Sequence, residues 1–360
     1  MEGSILIKHR QYSLTEFSEL SSENVPLFAQ SAQIFIREWQ NGKSSFTIKT
    51  SGSTGTPKSV SISRTQFNAS AQNTIEALKL KAGTKALLAM SADRIGGKMM
   101  LVRALIGNWN LTIEEPSTNL TEVLKTNSYD FTALVPLQVQ ALIDPGNKSL
   151  LEAIDCILIG GAAINPKLEK ELQHFTNRVY HTYGMTETIS HIALRKLSQK
   201  EPSAWFSVIG DNEVKQTPNG CLSVKGTVTN QKWIKTNDII ELAENRFKWL
   251  GRADLTINSG GVKLQIEEIE NELKAIIPEH LKANLCVWKM KDQLLGEQVI
   301  CVSNNKDLIA FFLSNETVLK SDFTKYAWPK TWYHIPQLIL TESGKIDRPN
   351  SYLQSVKLST

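Results

Sequence analysis

Little in this 360-residue chain marks it for a membrane, a disulfide framework or a nucleic acid. Only four cysteines occur, Cys156, Cys221, Cys286 and Cys301, and no two have the spacing of a CxxC redox or zinc pair. They read as buried thiols in a reducing compartment. No apolar run approaches the roughly 18 residues needed to span a bilayer. The segment Met1–Lys8 holds only a three-residue apolar stretch, Ile5–Ile7, unlike a secretory signal. Charge is nearly balanced: 40 basic against 36 acidic residues leave a net +4, spread too evenly for a nucleic-acid footprint. Internal repeats and low-complexity tracts are missing as well. These absences leave a cytoplasmic protein with no membrane span, and the length suggests two domains.

What is present alternates. Strand-like runs at Lys85–Met90, Asn110–Glu114, Phe131–Val135 and Ile154–Ile159 are interleaved with helical patterns at Phe67–Leu80, Lys98–Ile106 and Pro136–Ile143. A further helix opens at Asn165-Pro166, with Asn165 as N-cap. Such alternation predicts a large layered α/β domain with parallel pairing. After about residue 200 the texture becomes short strands: Cys221–Val224, Trp233–Lys235, Ile239–Leu242 and Phe247–Leu250, the last two joined by a hairpin at Ala243-Glu244-Asn245. Gln265–Ile277 then reads as an amphipathic helix with Ile266, Ile269, Leu273, Ile276 and Ile277 on one face. The domains expected are 1–251 and a small α+β unit, 252–360.

The densest chemistry lies at Thr50-Ser51-Gly52-Ser53-Thr54-Gly55-Thr56-Pro57-Lys58. Gly52 and Gly55 permit φ > 0 and close backbone approach, the hydroxyls of Ser51, Ser53, Thr54 and Thr56 donate, and Lys58 adds a positive charge. Such a loop wraps phosphate oxygens. It is not a Walker A loop: Pro57 stands where the second glycine should be, and Val60-Ser61-Ile62 reads as strand rather than helix. A solvated Ser/Thr turn is the plain alternative, but a nine-residue match closed by Lys58 is denser than such turns.

This loop resembles the phosphate loop of the acyl-adenylate-forming (AMP-forming) ligases, the acyl- and aryl-CoA synthetases, luciferases and peptide-synthetase adenylation domains. Further segments follow in order. Ile159-Gly160-Gly161-Ala162-Ala163 would lie along the adenine, and Tyr183-Gly184-Met185-Thr186-Glu187 matches the family's YGxTE. The resemblance implies that Tyr183 stacks on adenine, that Thr186 reaches the α-phosphate, and that Glu187 holds Mg²⁺, which accepts few carboxylates plus phosphate oxygens. Thr236-Asn237-Asp238 resembles TGD, whose Asp binds the ribose; Asn237 replaces the usual Gly, and Asn tolerates left-handed backbone. Gly251-Arg252-Ala253-Asp254 resembles the hinge segment, with Arg252 near ribose or phosphate and Asp254 as pivot. Ser259-Gly260-Gly261-Val262-Lys263 matches the glycine loop of the small domain, and Gly344-Lys345 the terminal GKxxR, with Lys345 the catalytic lysine.

The family's reaction has two halves: a carboxylate attacks the α-phosphorus of ATP, then a thiol displaces AMP. The resemblance therefore implies ATP, Mg²⁺ and coenzyme A. Its nucleotide site comprises Thr50 to Thr56, Lys58, Gly161, Ala162, Tyr183 to Thr186, Asp238, Arg252 and Lys345, with Lys345, Thr186 and Lys58 catalytic. Gly260 and Gly261 would approach the thiol once the small domain has rotated about Asp254.

The short stretch before the phosphate loop, together with Val135–Gln140 and Leu158–Ile164, resembles the small bacterial ortho-succinylbenzoate–CoA ligases of menaquinone synthesis. That acid has two carboxylates, so one must be held while the other reacts. Asp93 stands where the family often has His; Arg94 or Lys98 could hold the spare carboxylate, with Ser190 and His191 lining the same pocket. Solvated side chains or pairing with Asp93 are the plain alternatives. Another acyl- or aryl-CoA ligase, or an enzyme loading a carrier protein, fits the same segments.

Overall fold

The computed structural model describes residues 3–50, 58–143, 146–199, 202–281, 283–341 and 346–359, with the side chains of Lys49, Thr50, Lys58 and Ser359 left aside. Contacts divide the chain into two compact units. The first runs to Trp249; the second is Leu250–Thr360 together with Asn237–Ile239.

Six neighbouring strands of the first unit run parallel, in the spatial order Arg178–Gly184, Cys156–Ile159, Phe131–Leu134, Lys85–Leu88, Asn110–Ile113 and Ser4–Ile7. Burial on both faces explains their apolar sequences: every residue of Cys156–Ile159 is buried. Helices Arg64–Leu78, Ile95–Gly107, Pro136–Ile143 and Pro166–Gln173 provide the layers. Local chemistry sets their ends. Ser63 and Gln66 form a reciprocal capping box (3.2 and 3.0 Å) at the first of them. Asn165 Oδ1 accepts the Leu168 N–H at 2.7 Å, the expected N-cap. Beyond Arg178–Gly184 the pairing continues through His191–Lys196 and Phe206–Val208 to Arg246–Arg252, Ile234–Ala243, Cys221–Lys225 and Glu213–Gln216. With Arg10–Ser13 at the far edge this makes 13 strands. The layered α/β class read from the sequence is the observed one.

One expectation is corrected here. Trp233–Lys235 and Ile239–Leu242 are not separate strands with a turn between them; Ile234–Ala243 is one continuous strand of ten residues. Asn237 has no left-handed backbone, and Thr236-Asn237-Asp238 lie inside the strand. The turn lies where the hairpin was expected, with Glu244 at φ 40°.

The second unit has a five-stranded sheet in which Val262–Gln265, Thr256–Ser259, Gly296–Ser303 and Leu285–Asp292 are neighbours in that order, with Thr331–His334 added to Gly296–Ser303. The helix Ile266–Ala275 buries Ile266, Ile269 and Leu273, the stripe its spacing predicts. Phe312 stacks on Trp332 with centroids 4.6 Å apart at the centre of this core. All four cysteines are free and buried. Among the described residues, no helix is long and apolar enough to cross a membrane.

Candidate active site

Ligands of open α/β sheets bind beyond the carboxyl ends of the parallel strands. Four candidate segments of the first unit meet at that edge. Residues 89–98 follow Lys85–Leu88, Val135 follows Phe131–Leu134, and Gly160-Gly161-Ala162 follow Cys156–Ile159; Tyr183–Glu187 close the strand Arg178–Gly184. Ile159 is level with His181 in the parallel ladder, so the Gly161–Ala162 turn and the Tyr183–Glu187 turn are side by side.

The second of these turns is tightly fixed. Tyr183 meets Phe247 edge to face at 5.0 Å. Thr186–Thr188 forms a single 3-10 turn, and Thr188 Oγ1 accepts the Met185 N–H at 3.0 Å. Gly184 admits no side chain, because a Cβ there would lie 2.1 Å from the Ser190 carbonyl oxygen. Glu187 projects its carboxylate into solvent beside Thr186. Among the described residues, no group of three or more His, Cys, Asp or Glu could hold a metal by itself. A lone hard carboxylate completed by phosphate oxygens suits Mg²⁺, so Glu187 fits that ion.

On the same strand, Arg178–Gly184, His181 sits between Ala162 and Arg195. Burial first, then the Arg195 charge, pushes its imidazole down to about 4, keeping it neutral. Arg195 grips Glu169 through two 2.8 Å bonds. Neither His181 nor Arg195 stood out in the sequence.

The phosphate loop's flanks are described although its tip is not. Ser45–Thr50 and Lys58–Ser63 form an antiparallel pair with Thr50 opposite Lys58. Strand–loop–strand is incompatible with a Walker A loop, which feeds a helix. Ser51, Gly52, Ser53, Thr54, Gly55 and Thr56, the side chains of Thr50 and Lys58, and Lys345 lie outside the described residues.

In the second unit, Arg252 forks onto Asp254 (Nε–Oδ1 2.9 Å, Nη2–Oδ2 2.7 Å). Burial pushes Asp254 up, but the Arg252 bonds, with help from Asn237, leave it below the usual carboxylate range. Asp238 adds to the negative charge around Arg252. Gly260 and Gly261, at φ 56° and 81°, make the two-residue turn between Thr256–Ser259 and Val262–Gln265. The foot of the Lys345 segment is built: Leu340 bridges Ile346, and the Asp347 N–H donates to the Ile339 carbonyl at 2.8 Å. Arg348 then forks onto buried Glu270 at 2.8 and 2.9 Å, and Glu270 also accepts the Val287 N–H.

On the acyl side the structure adds a residue that the sequence reading did not name. Arg94 is exposed. Lys98 donates to the Ala92 carbonyl at 2.6 Å and lies 5.6 Å from the Phe35 ring centre. The cation that reaches Ser190 is Arg103, on the same helix. It is 2% exposed. Its Nη2 donates to Ser190 Oγ at 3.0 Å; among the described residues, its Nη1 meets only the Met100 sulfur at 4.0 Å and its Nε has no partner. Among the described residues, no carboxylate pairs with it. Burial alone pushes its guanidinium down to about 9, so it is still charged near neutrality. The available signal was an arginine inside the apolar run Met99-Met100-Leu101-Val102-Arg103-Ala104-Leu105-Ile106.

The sequence profile of the AMP-binding enzymes matches residues 10–217, more than half of the chain. The chain belongs to that family and is an AMP-forming ligase. It is 27% identical over 331 residues to the 2-succinylbenzoate–CoA ligase of Staphylococcus epidermidis, spanning 83% of this chain and 67% of that enzyme. An acyl-CoA synthetase (AMP-forming)/AMP-acid ligase II-like protein from Dyadobacter fermentans superposes with a TM-score of 0.65 at 34% identity, covering 95% of this chain and 98% of that one. The o-succinylbenzoate–CoA synthetase of Bacillus subtilis, solved with ATP and magnesium ion, shares the fold (TM-score 0.71, 21% identity, 85% and 69% covered).

Proposed function

We propose that the protein is an ATP-dependent, AMP-forming ortho-succinylbenzoate–CoA ligase acting through an acyl-adenylate. The observation that carries the choice of acid is Arg103. A buried guanidinium with free donors and no carboxylate partner is costly unless an anion answers it. A substrate with one carboxylate spends that group at phosphorus; a dicarboxylate brings a second to the arginine. Arg103 therefore favours a dicarboxylic acid, and the 2-succinylbenzoate–CoA ligases among the relatives favour this one.

Two anions must meet in the first half-reaction, so charge neutralisation and alignment dominate the chemistry. Lys345 bridges the reacting carboxylate and an α-phosphate oxygen. Lys58 and the hydroxyls of Ser51 to Thr56 hold the departing pyrophosphate, and Thr186 binds the α-phosphate. Glu187 would hold Mg²⁺, which when bound would supply neutralisation of the phosphate charge. Asp238 and Arg252 hold the ribose, Gly161, Ala162 and Tyr183 the adenine. The second half-reaction follows a swing about Asp254 that withdraws Lys345 and brings Gly260–Gly261 to the thiol of coenzyme A.

Purified protein given ATP, Mg²⁺, coenzyme A and ortho-succinylbenzoate is expected to release AMP and pyrophosphate; turnover of other carboxylates alone would refute the choice of acid. Lys345→Ala is expected to slow adenylate formation roughly 10²–10³-fold while supplied adenylate still reacts with coenzyme A. Equal loss in both halves would refute the lysine's role.

A further inference from the structure

Behind Arg103 lies a chain of polar groups that the reaction does not use. Ser190 Oγ, which accepts from Arg103 Nη2, is 3.4 Å from His191 Nδ1. His191 Nε2 is 3.0 Å from Thr74 Oγ1, and Thr74 Oγ1 is 3.0 Å from the Ser70 carbonyl on the helix Arg64–Leu78. His191 and Thr74 are both buried.

Proton counting gives the chain one direction. The Ser70 carbonyl can only accept, so Thr74 gives it the hydroxyl proton and accepts from His191 Nε2–H. His191 Nδ1 then carries a lone pair and takes the Ser190 O–H. That leaves the Ser190 oxygen free to accept from Arg103. The arrangement needs the neutral Nε2–H tautomer; a second ring proton would point at Ser190 and reverse the last link. Burial, then the nearby Arg103 charge, holds the His191 pKa well below its ordinary value.

Backbone strain points to the same place. Ile189, a β-branched residue, sits at φ 67°, ψ −51°, with the Ser190 N–H bonded to the Thr188 carbonyl at 2.7 Å. This is the strained, rarely used form of the γ-turn. Its effect is to set Ser190 two residues past the turn Thr186–Thr188 and against Gly184, within reach of Arg103.

We propose that His191 is a positioning and specificity-determining residue: with Thr74 behind it, it turns the Ser190 hydroxyl so that Arg103 is presented to the second carboxylate of the substrate acid. The inference rests on the assignment of Arg103 to that carboxylate.

The experiment compares ortho-succinylbenzoate with 4-oxo-4-phenylbutanoate and 2-butanoylbenzoate, each lacking one of its two carboxylates. His191→Phe keeps a ring but neither donor nor acceptor. It is expected to raise KM for ortho-succinylbenzoate about tenfold with kcat within about twofold, and to leave KM for whichever analogue reacts unchanged. His191→Gln, which can donate to Thr74 and accept from Ser190, is expected to restore KM to within about threefold of wild type. Thr74→Val, acting from the other end, is expected to raise KM in the same sense by about threefold. Equal KM increases for the diacid and the analogue, no increase in His191→Phe, or a His191→Gln variant as poor as His191→Phe would each overturn the proposal. Arg103→Met separates the two layers. If it leaves the diacid preference intact, the Arg103 assignment fails and the inference with it; if it abolishes the preference while His191→Phe and Thr74→Val do not, the inference alone fails.

Discussion

Two arginines, Arg103 buried in the first unit and Arg348 half-buried in the second, are treated in opposite ways. Arg348 is answered by the fold: both its donors fork onto Glu270, which is itself anchored by a backbone N–H. Burial pulls the Arg348 pKa down, but Glu270 more than reverses this and leaves it raised. Arg103 is deeper, meets one hydroxyl and one sulfur, and is pushed down to about 9. The fold completes the charge of Arg348 and leaves that of Arg103 incomplete, as expected of a group proposed to meet a ligand.

The comparison can be broken hardest from the paired side. Glu270→Leu strands Arg348 in the core and is expected to destabilise the protein by about 3–5 kcal/mol, read from the denaturant midpoint. The double variant Glu270→Leu/Arg348→Met is expected to recover most of that loss, because two apolar chains replace a satisfied pair. No recovery would mean that the pair does more than balance itself.

Arg103→Met should behave in the opposite sense. It is expected to stabilise the ligand-free protein by about 1–3 kcal/mol in thermal melts and to abolish the preference for the diacid. Loss of stability would show that the arginine is a strut after all.

The smallest effect is a pH signature. Arg103 titrates at about 9 when folded, well below the ordinary arginine range, so above about pH 9 the unfolded chain holds more protons until it too deprotonates. The wild-type deficit relative to Arg103→Met is therefore complete below about pH 9 and narrows above it. Over the same range KM for the diacid is expected to rise as the charge is lost, and KM for the reacting analogue is not. Coincident pH profiles for the two acids would remove Arg103 from recognition.

Much of the scaffold was readable because local and global preferences agree. The apolar run Ile157-Leu158-Ile159 can only be a strand buried on both faces, and Asn165-Pro166 can hardly be anything but a helix start. Thr236-Asn237-Asp238 misled because its residues favour turns, while the continuous strand Ile234–Ala243 holds them extended. The candidate nucleotide residues stood out because glycines and hydroxyls cluster in sequence. Of the proposed acid-binding group, Ser190 and His191 stood out beside the YGMTE segment, but Arg103 and Thr74 did not: the group comes from three separated segments, and Arg103 lies in a run buried at consecutive positions, Met99 to Ala104, so no polar stripe marks it.

Arg103 rides on the helix Ile95–Gly107, whereas the adenine, phosphate and ribose candidates sit on other elements. On the proposed assignment, choice of acid and activation of acid are separable inheritances. A lineage could exchange its metabolic niche by altering one helix position and the residues behind it, while the machinery that cleaves ATP passes down untouched.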